Sequence, residues 1–459
     1  MPPTLATVVY SIGIIGLFVL DRNRQARVSK ALWIPFAWML ITGSRPLSVW
    51  LETSPITGLP QQNLEGSPID AVFFAVLMAA GLLVLVLRRK RVKKILQPNT
   101  LILVFLAYCA LSTLWSDHTF VAFKRWTKEV GDIEMVLVIL TEVDLSVALK
   151  RLLASAAFLL LPISMLFIKY YPDLGRAYNY WTFEPMYIGI TTNKNELGMI
   201  CLVYGVGCLW CFLSAYKDRS VPGRNRRLLA HSAILLIAFW LLATSNSMTS
   251  VLCFFMAGGL MVMITLTQVG RKSAIVHLIV AASVAATSAV VFFGVGLKAL
   301  GRDLTLTGRT EIWSIVLGVA GNPLVGTGFE SFWLGDRLQR IWEAFGLHIQ
   351  EAHNGYIEVY LNLGWIGILI LAALIVSGYR HVLRAIRAND SLSALKAGFF
   401  LSAILYSFTE AGFRMLSPIW TAFLLVVIAT PPSPISIAPP TAEIETPVLA
   451  DVYEPEYNQ

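Results

Sequence analysis

The feature that most constrains this chain is a series of long apolar runs separated by shorter polar segments. A transmembrane helix needs about 20 largely apolar residues to cross roughly 30 Å of hydrocarbon. Runs of about this length lie near residues 5–20, 31–50, 69–87, 100–116, 129–145, 152–169, 197–215, 229–244, 249–268, 273–297, 356–378, 395–408 and 413–430. The sequence therefore predicts an all-α polytopic membrane protein with about 12–13 transmembrane helices. The lower number applies if short runs are re-entrant or if two of them form one broken helix.

Composition agrees with this fold class. The chain has 459 residues, of which 56% are hydrophobic and only 14% are charged, whereas soluble domains carry about a quarter charged residues. The net charge of +8 does not indicate nucleic acid, because basic residues of membrane proteins usually mark cytoplasmic loops. The sequence has neither a Walker A motif nor a dinucleotide fingerprint, which argues against ATP-driven transport by this chain alone.

The basic loops test the number of spans. With thirteen spans, the loops around residues 22–30, 88–94, 150–151, 217–227, 271–272 and 380–396 all fall on one side. The positive-inside rule makes that side cytoplasmic. The N-terminus and the loops 46–68, 170–196 and 298–355 then face outward.

Four regions follow from this topology. They are an N-terminal transmembrane bundle (1–297), a large outward loop (298–355), C-terminal transmembrane helices (356–430) and a tail (431–459). The tail is rich in proline, contains acidic residues and lacks lysine and arginine, so it is expected to be disordered on the cytoplasmic side. The five cysteines lie within apolar runs, and neither disulfides nor a metal site is predicted from them.

The outward loop carries the residues best suited to chemistry. His353 lies where this loop meets an apolar run, and helical spacing would place it on one face with Tyr356, Ile357 and Tyr360. Glu358 is close by in sequence. The two tyrosines are candidates for a binding surface, and interfacial anchoring is an equal alternative for them.

An ordered series of motifs extends through this region. It comprises Gly308-Arg309-x-x-x-Trp313, Asn322-Pro323-Leu324-x-Gly326-x-Gly328-Phe329-x-Ser331-Phe332, Ala352-His353-Asn354-Gly355-Tyr356-x-Glu358 and Leu363-Gly364-x-x-Gly367. The series resembles the O-antigen ligase and Wzy-type polymerase superfamily of bacterial envelope-glycan enzymes. The resemblance is close over residues 302–367 and loose over most of the chain. It implies a multi-pass protein of the bacterial cytoplasmic membrane whose catalytic loop is periplasmic.

A second match covers residues 189–198, GITTNKNELG. It is similar to a loop-to-helix signature of the same superfamily, and its Lys-Asn version looks most like the exopolysaccharide-polymerase (ExoQ-like) branch. Lys194 and Asn195 are therefore candidates for binding an anionic diphosphate at a helix start. Snorkelling of Lys194 to lipid headgroups is the alternative.

The sequence departs from the ligases at residues 244–250, TSNSMTS, where they typically carry a Ser-Arg-Gly-like helix start. Because that arginine is absent, another cation must supply its phosphate-binding role. Lys124, Arg125 and Lys128 are candidates on the outward side, with ordinary phospholipid headgroups as alternative ligands. Arg414 is a further candidate, although a helical ion pair with Glu410, four residues earlier, is the simpler interpretation.

The resemblance implies transfer of glycan from an undecaprenyl-diphosphate carrier to a sugar hydroxyl of an acceptor, without a nucleotide. No metal cofactor is expected, because protein cations can neutralise the leaving diphosphate. Arg309 is the first choice for that role, since its guanidinium can bind phosphate in a bidentate manner. His353 is predicted either to accept the hydroxyl proton or to hydrogen-bond a substrate, and Asn354, Tyr356 and Glu358 are expected to bind substrate. Phe329, Phe332, Trp333 and Trp342 either stack on sugars or pack the loop.

Three functions remain open at this point. The chain is predicted to be a polymerase of lipid-linked repeat units, with a ligase that moves finished glycan to lipid A core or another acceptor as the nearest alternative. A polysaccharide transporter is disfavoured, because the polar motifs cluster on the outward side and no internal repeat is evident. Expected partners are the lipid-linked donor, the acceptor and the bilayer, with a chain-length regulator and a flippase as further candidates.

Overall fold

The computed structural model describes residues 1–22, 28–53, 66–178, 184–219, 222–268, 270, 272–293, 309–346 and 348–430. Met1–Ala429 form one compact unit. The predicted disordered tail and residues 298–308 of the predicted outward loop lie outside the described residues. The division into four regions stays a prediction.

The described residues are almost wholly helical. The α-helices are α1 (Pro3–Asp21), α2 (Trp33–Thr42), α3 (Leu47–Trp50), α4 (Pro68–Leu87), α5 (Arg89–Leu96), α6 (Thr100–Ser112), α7 (Thr119–Leu140), α8 (Leu145–Tyr170), α9 (Pro172–Gly175), α10 (Lys194–Lys217), α11 (Arg224–Ser245), α12 (Met248–Leu266), α13 (Ser273–Phe293), α14 (Arg309–Gly318), α15 (Gly335–Phe345), α16 (Gly355–Arg387), α17 (Ser393–Tyr406) and α18 (Pro418–Val427). Short 3-10 helices cover Lys30–Leu32 and Thr113–Trp115, and strands β1 (Arg176–Tyr178) and β2 (Pro185–Tyr187) pair antiparallel. The predicted all-α polytopic membrane fold is confirmed.

Each of the thirteen predicted apolar runs overlaps a helix. Within the described part of the chain, 8 helices are long and apolar enough to cross a membrane, or 9 if the bent pair Arg89–Leu96 and Thr100–Trp115 is one span. Three shorter apolar helices cover Lys30–Thr42, Ser393–Tyr406 and Pro418–Val427. That thirteen segments cross the membrane therefore stays a prediction, although a helix is present at each of the thirteen apolar runs.

Helix α7 is not among these candidate spans, because it carries buried acidic residues. Glu129 accepts a hydrogen bond from the indole N–H of Trp420 at 2.8 Å. Asp132 accepts one from the indole of Trp38 at 2.8 Å and one from the backbone N–H of Leu416 at 2.6 Å. Buried carboxylates need such donors, and here the donors come from α2, from α18 and from the segment before α18. Helix α7 is thus a central packing element of the bundle.

Helix α16 is interrupted at Gly364, where the backbone has φ +64° and ψ −163°. Residues 323–328, which follow α14, pack against this break and satisfy the peptide groups that it frees. The hydrogen bonds run from Thr327 N to Leu361 O (3.1 Å), Gly328 N to Asn362 O (2.9 Å), Trp365 N to Pro323 O (2.9 Å) and Ile366 N to Leu324 O (3.1 Å). Non-helical backbone inside a membrane bundle is tolerated where protein buries and satisfies it, as here, or where it lines a water-filled cavity. The glycines of the Asn322–Gly328 and Leu363–Gly367 motifs therefore have a structural role.

The loop region between α13 and α16 has a small hydrophobic core of its own. Its buried members are Ile312, Trp313, Val316, Phe332, Trp333, Leu338, Ile341 and Ala352, together with Val291 of α13 and Leu361 of α16. The indole of Trp313 donates to the carbonyl of Ala352 at 2.8 Å, which ties α14 to the residue before His353. Phe329 is also buried. The packing alternative thus accounts for Phe329, Phe332 and Trp333.

We expect Gly364→Ala to destabilise the protein by at least about 3 kcal/mol, because this backbone region is accessible essentially only to glycine. A Cβ there would also lie 2.3 Å from the carbonyl carbon of Leu324. Thermal unfolding in detergent measures the effect. Gly259→Ala in α12 is the matched control, since nothing lies within 4 Å of its Cβ position. Equal unfolding temperatures for the two variants would contradict the role of the break.

Candidate active site

Five charged side chains meet at the end of the bundle where α10, α14 and α16 begin. They form a chain of ion pairs, hereafter the charge cluster, whose members are Arg309, Glu351, His353, Glu410 and Arg414. Arg309 is the first residue of α14, and His353 lies just before α16. Glu410 and Arg414 belong to the non-helical segment between α17 and α18.

Glu410 is the centre of this cluster. Its side chain is 4% exposed, and Oε1 lies 2.6 Å from Nη2 of Arg309. Oε2 lies 3.1 Å from Nδ1 of His353 and accepts a hydrogen bond from Nδ2 of Asn195, also at 3.1 Å. A buried carboxylate needs such compensation. Glu410 thereby holds together a helix start on α10, a helix start on α14 and the loop end before α16.

Glu351 is a second carboxylate at Nδ1 of His353 and extends the chain of ion pairs to Arg414. Its Oε1 lies 3.0 Å from Nδ1 of His353, and its Oε2 lies 3.5 Å from Nη1 of Arg414. Burial alone would raise the pKa of Glu351, but His353, Arg414 and Arg309 lower it to about 2. Burial alone would lower the pKa of His353, but its hydrogen bonds to Glu351 and Glu410 raise it to about 10. His353 is therefore an imidazolium at neutral pH, and the cluster holds three positive and two negative charges.

Local backbone geometry directs His353 into the cluster. Its φ is +49°, in the left-handed region that non-glycine residues rarely adopt. Helix α16 begins only after Asn354, whose side-chain oxygen caps it by accepting from the N–H groups of Tyr356 and Ile357. The prediction that His353 shares a helical face with Tyr356 is therefore wrong, because His353 precedes the helix.

The predicted helical ion pair between Glu410 and Arg414 is also wrong. Residues 407–417 are not helical, so the four-residue spacing does not bring the two side chains together. Arg414 pairs with Glu351 instead. This correction places Arg414 inside the charge cluster.

Three of the predicted substrate-binding residues have partners within the protein. The amide of Asn354 donates to Phe408 O at 3.1 Å, and the hydroxyl of Tyr356 donates to Ile404 O at 3.1 Å. Glu358 is buried and accepts from the indole of Trp333 at 2.9 Å and from the N–H of Ala352. These contacts fix α16, α17 and the loop around His353, and the prediction that the three residues bind substrate is not tested.

The other predicted cations are not members of the charge cluster. Lys194 lines a cavity of about 600 Å³ together with Lys169, Arg176, Trp240 and Asn246, while its neighbour Asn195 contacts Glu410. On α7, Arg125 donates to the carbonyl of Glu330 and lies close enough to Arg414 for the two charges to repel. Lys124 lies over the ring of Phe120 at 5.2 Å, and Lys128 is one turn further along the helix near Arg125.

Sequence reasoning missed the roles of two acids. Glu351 was not identified at all, and Glu410 was identified only as a partner of Arg414. The available signal was the position of Glu351 two residues before His353, in the loop predicted to face outward. Sequence reasoning also missed the buried Arg45. Its guanidinium donates to the carbonyls of Thr191 and Gly189 at 3.2 Å each, and these hydrogen bonds hold the loop before α10.

The donor atoms of Glu351, His353 and Glu410 lie within 4.8 Å of one another, close enough to hold a metal ion. Both carboxylates, however, already contact arginine side chains, and the imidazole carries a proton at neutral pH. Metal binding would require that proton to leave and would place a divalent charge beside two guanidinium groups. This donor set therefore favours an anionic ligand over a cation.

Comparison with known proteins places this geometry in context. Residues 233–372 match the sequence model of the family described as O-antigen ligase. The chain is also 27% identical over 333 residues to the exopolysaccharide production protein ExoQ of Rhizobium meliloti (strain 1021). The matched region covers 69% of this chain and 73% of ExoQ. The resemblance to the O-antigen ligase superfamily is confirmed.

The O-antigen ligase match covers only part of the charge cluster. Arg309, Glu351 and His353 fall within residues 233–372, whereas Glu410 and Arg414 lie outside them, as does Asn195, which hydrogen-bonds Glu410. The structure therefore adds to the O-antigen ligase region three side chains that come from other parts of the chain. The multi-pass helical bundle agrees with the membrane location that the superfamily implies.

The two pKa shifts predict how stability depends on pH. A raised pKa stabilises the folded state below the unfolded pKa, and this contribution is lost as pH rises through the folded pKa. For His353 this stabilisation is lost as the pH rises from about 6.5 to about 10. We expect the difference in unfolding temperature between the wild type and His353→Gln, in detergent, to be largest at pH 6 and to shrink towards pH 10.

The lowered pKa of Glu351 has the opposite sign. Its contribution to the stability of the folded state is present above pH 4.5 and is lost as the pH falls towards about 2. The difference between the wild type and Glu351→Gln should accordingly shrink on acidification. A His353→Gln difference that stays constant from pH 6 to pH 10 would contradict the ion-pair assignment.

Proposed function

We propose that this protein is a membrane glycosyltransferase that polymerises undecaprenyl-diphosphate-linked repeat units into an exopolysaccharide or an O-antigen-like glycan. The protein would lie in the bacterial cytoplasmic membrane with the charge cluster on the periplasmic side. The single observation that carries this proposal is the charge cluster, in which three cations are fixed by two buried or half-buried carboxylates. Its position beside an apolar groove supports a lipid-linked substrate.

The reaction needs fixed positive charge at the leaving group. The bond between the anomeric carbon and the diphosphate breaks, a new bond forms to the acceptor hydroxyl, and negative charge develops on the diphosphate. Preorganised cations in a partly dry site stabilise this charge strongly. Arg309 contacts Glu410 through Nη2, and a guanidinium has five N–H donors, so the same fork can bind phosphate oxygens. Arg414, which is 42% exposed, provides a second fork.

His353 fits a role as a hydrogen-bond donor better than a role as a general base. A histidine with a pKa of about 10 is protonated at neutral pH and cannot accept the proton of the acceptor hydroxyl. Glu410 and Glu351 orient its imidazolium. We infer that His353 donates to the diphosphate through Nε2 and that the departing diphosphate takes up the hydroxyl proton.

An apolar groove leads away from the charge cluster. It has a volume of about 660 Å³, begins beside Asn354 and Tyr356, and continues between α13, α16 and α17 towards Phe400 and Tyr379. Aliphatic and aromatic side chains line nearly all of it. A stretch of polyprenyl chain is the donor part that matches such a surface, and it would enter sideways from the lipid while the glycan occupies the outward side.

Polymerase and ligase share this donor chemistry and differ in the acceptor. The family description names O-antigen ligation, whereas the printed name of the Rhizobium relative concerns exopolysaccharide production. Residues 244–250 lack the arginine expected of ligases. We therefore favour the polymerase and keep transfer of finished glycan to lipid A core or another acceptor as the alternative. A chain-length regulator and a flippase stay candidate partners.

A strain deleted for this chain provides the deciding test. Lipid-linked and released glycans would be compared on a gel with and without the restored chain. Single repeat units on the lipid, with long polymer lost, are expected. Long polymer that persists on the carrier lipid, unattached to its final acceptor, would identify a ligase. An unchanged pattern would refute glycan transfer by this protein.

In the same strain, His353→Ala and Arg309→Lys should each reduce polymer formation about hundredfold or more, because each weakens charge stabilisation in the transition state. Matched controls are His348→Ala, at an exposed position in the same loop, and Arg340→Lys, at an exposed position on α15. Protein levels in the membrane should be equal for all four. Normal polymer with His353→Ala would remove His353 from the mechanism.

We also propose that the reaction needs no metal cofactor, since the carboxylates of the cluster hold arginines. Purified protein in detergent should retain its rate of glycan transfer in excess EDTA. Loss of at least about tenfold in EDTA, with recovery on adding Mg²⁺ or Mn²⁺, would show that a cation bridges the diphosphate after all.

A further inference from the structure

A large cavity lies at the opposite end of the bundle from the charge cluster. It has a volume of about 860 Å³ and is enclosed by the C-terminal ends of α1 and α10, the N-terminal ends of α8 and α11, and the start of α2. Asn195, which contacts the charge cluster, and Ser214, which lines this cavity, lie 19 residues apart on α10. At 1.5 Å per residue they are about 28 Å apart, close to the thickness of the hydrocarbon.

The lining of this cavity combines apolar walls with a cationic rim. Phe18, Leu32, Trp33 and Phe36 contribute apolar surface. The rim carries five basic residues, Arg22, Lys30, Lys150, Arg151 and Arg227, against two acidic ones, Asp21 and Asp218. This arrangement matches a ligand with an anionic head and an apolar body.

A buried histidine inside the cavity has an unsatisfied ring nitrogen. The residue His231 is 3% exposed, and its Nε2 lies 3.0 Å from Oδ1 of Asp21. Its Nδ1 has no hydrogen-bond partner among the described residues. This nitrogen is buried and not open to the cavity, so the cationic rim and the apolar walls, rather than this nitrogen, indicate a ligand.

The cavity adjoins the lipid-facing surface of the protein. Phe18 and Trp33, which line it, are 38% and 65% exposed, and α1 presents a row of exposed aliphatic side chains beyond Phe18, such as Ile12 and Ile15. A lipid can thus reach the cavity from the bilayer. The adjoining loops are basic, and anionic lipids concentrate at membrane surfaces next to such loops.

We propose that this cavity binds the phosphodiester headgroup of an anionic phospholipid. Lys150 and Arg227 contact the phosphate, and the acyl chains lie along Phe18 and Phe36. The site is separate from the charge cluster and does not depend on the glycan-transfer reaction. Its ligand ties together α1, α8, α10 and α11.

The purified full chain in detergent tests this proposal. Unfolding temperature and bound lipid, by native mass spectrometry, would be measured while dioleoylphosphatidylglycerol, dioleoylphosphatidylcholine or inorganic phosphate is added. Only phosphatidylglycerol is expected to bind tightly and to raise the unfolding temperature. Equal effects of phosphatidylcholine would refute recognition of charge, and equal effects of inorganic phosphate would refute a lipid ligand.

Variants locate the effect in the cavity. Lys150→Gln with Arg151→Gln should weaken phosphatidylglycerol binding about tenfold or more, and Lys30→Gln with Arg227→Gln should do the same by an independent route. The matched control is Arg89→Gln with Lys90→Gln, which removes one arginine and one lysine at exposed positions on α5, outside the cavity. Equal loss in the control would show that binding reflects general surface charge and would overturn the assignment.

Discussion

The buried carboxylate of Glu410 is the interaction on which the organisation of this protein depends. It contacts side chains that are 215, 101 and 57 residues away in sequence, namely Asn195, Arg309 and His353. An isolated carboxylate in such a position would be strongly unfavourable. Burial of Glu410 is therefore favourable only when α10, α14 and the loop before α16 have all reached their places. The same event assembles the cations that the proposed reaction needs.

The arrangement of acids between cations has a chemical consequence. Glu351 and Glu410 hold Arg309, His353 and Arg414 close together although these three positive groups repel one another. Because the three cations outnumber the two acids, the site keeps a positive surplus that can attract a diphosphate. Bringing the substrate in requires little rearrangement of protein dipoles, which is the condition for strong electrostatic stabilisation of a leaving group.

The sequence allowed the fold class and the main cations to be predicted, because both depend on local patterns. Apolar runs predicted the helices, and the ordered motifs identified Arg309 and His353. The contacts of Glu410, Arg414 and Glu351 could not be predicted, since they depend on the backbone leaving the helical path at 407–417 and before Asn354. Helical spacing therefore suggested the wrong partner for Arg414. The buried acids of α7 were equally hidden, because their donors Trp38 and Trp420 come from distant helices.

The break in α16 affects how this membrane protein can be made. Its carbonyls at Leu361 and Asn362 accept hydrogen bonds from the N–H groups of Thr327 and Gly328, which are synthesised before α16. When α16 leaves the translocon for the bilayer, those carbonyls have no partners until the earlier segment docks against them. Lateral release of this helix and folding of the preceding loop are thus coupled. Insertion of α16 and docking of residues 323–328 then form one cooperative step rather than two independent events.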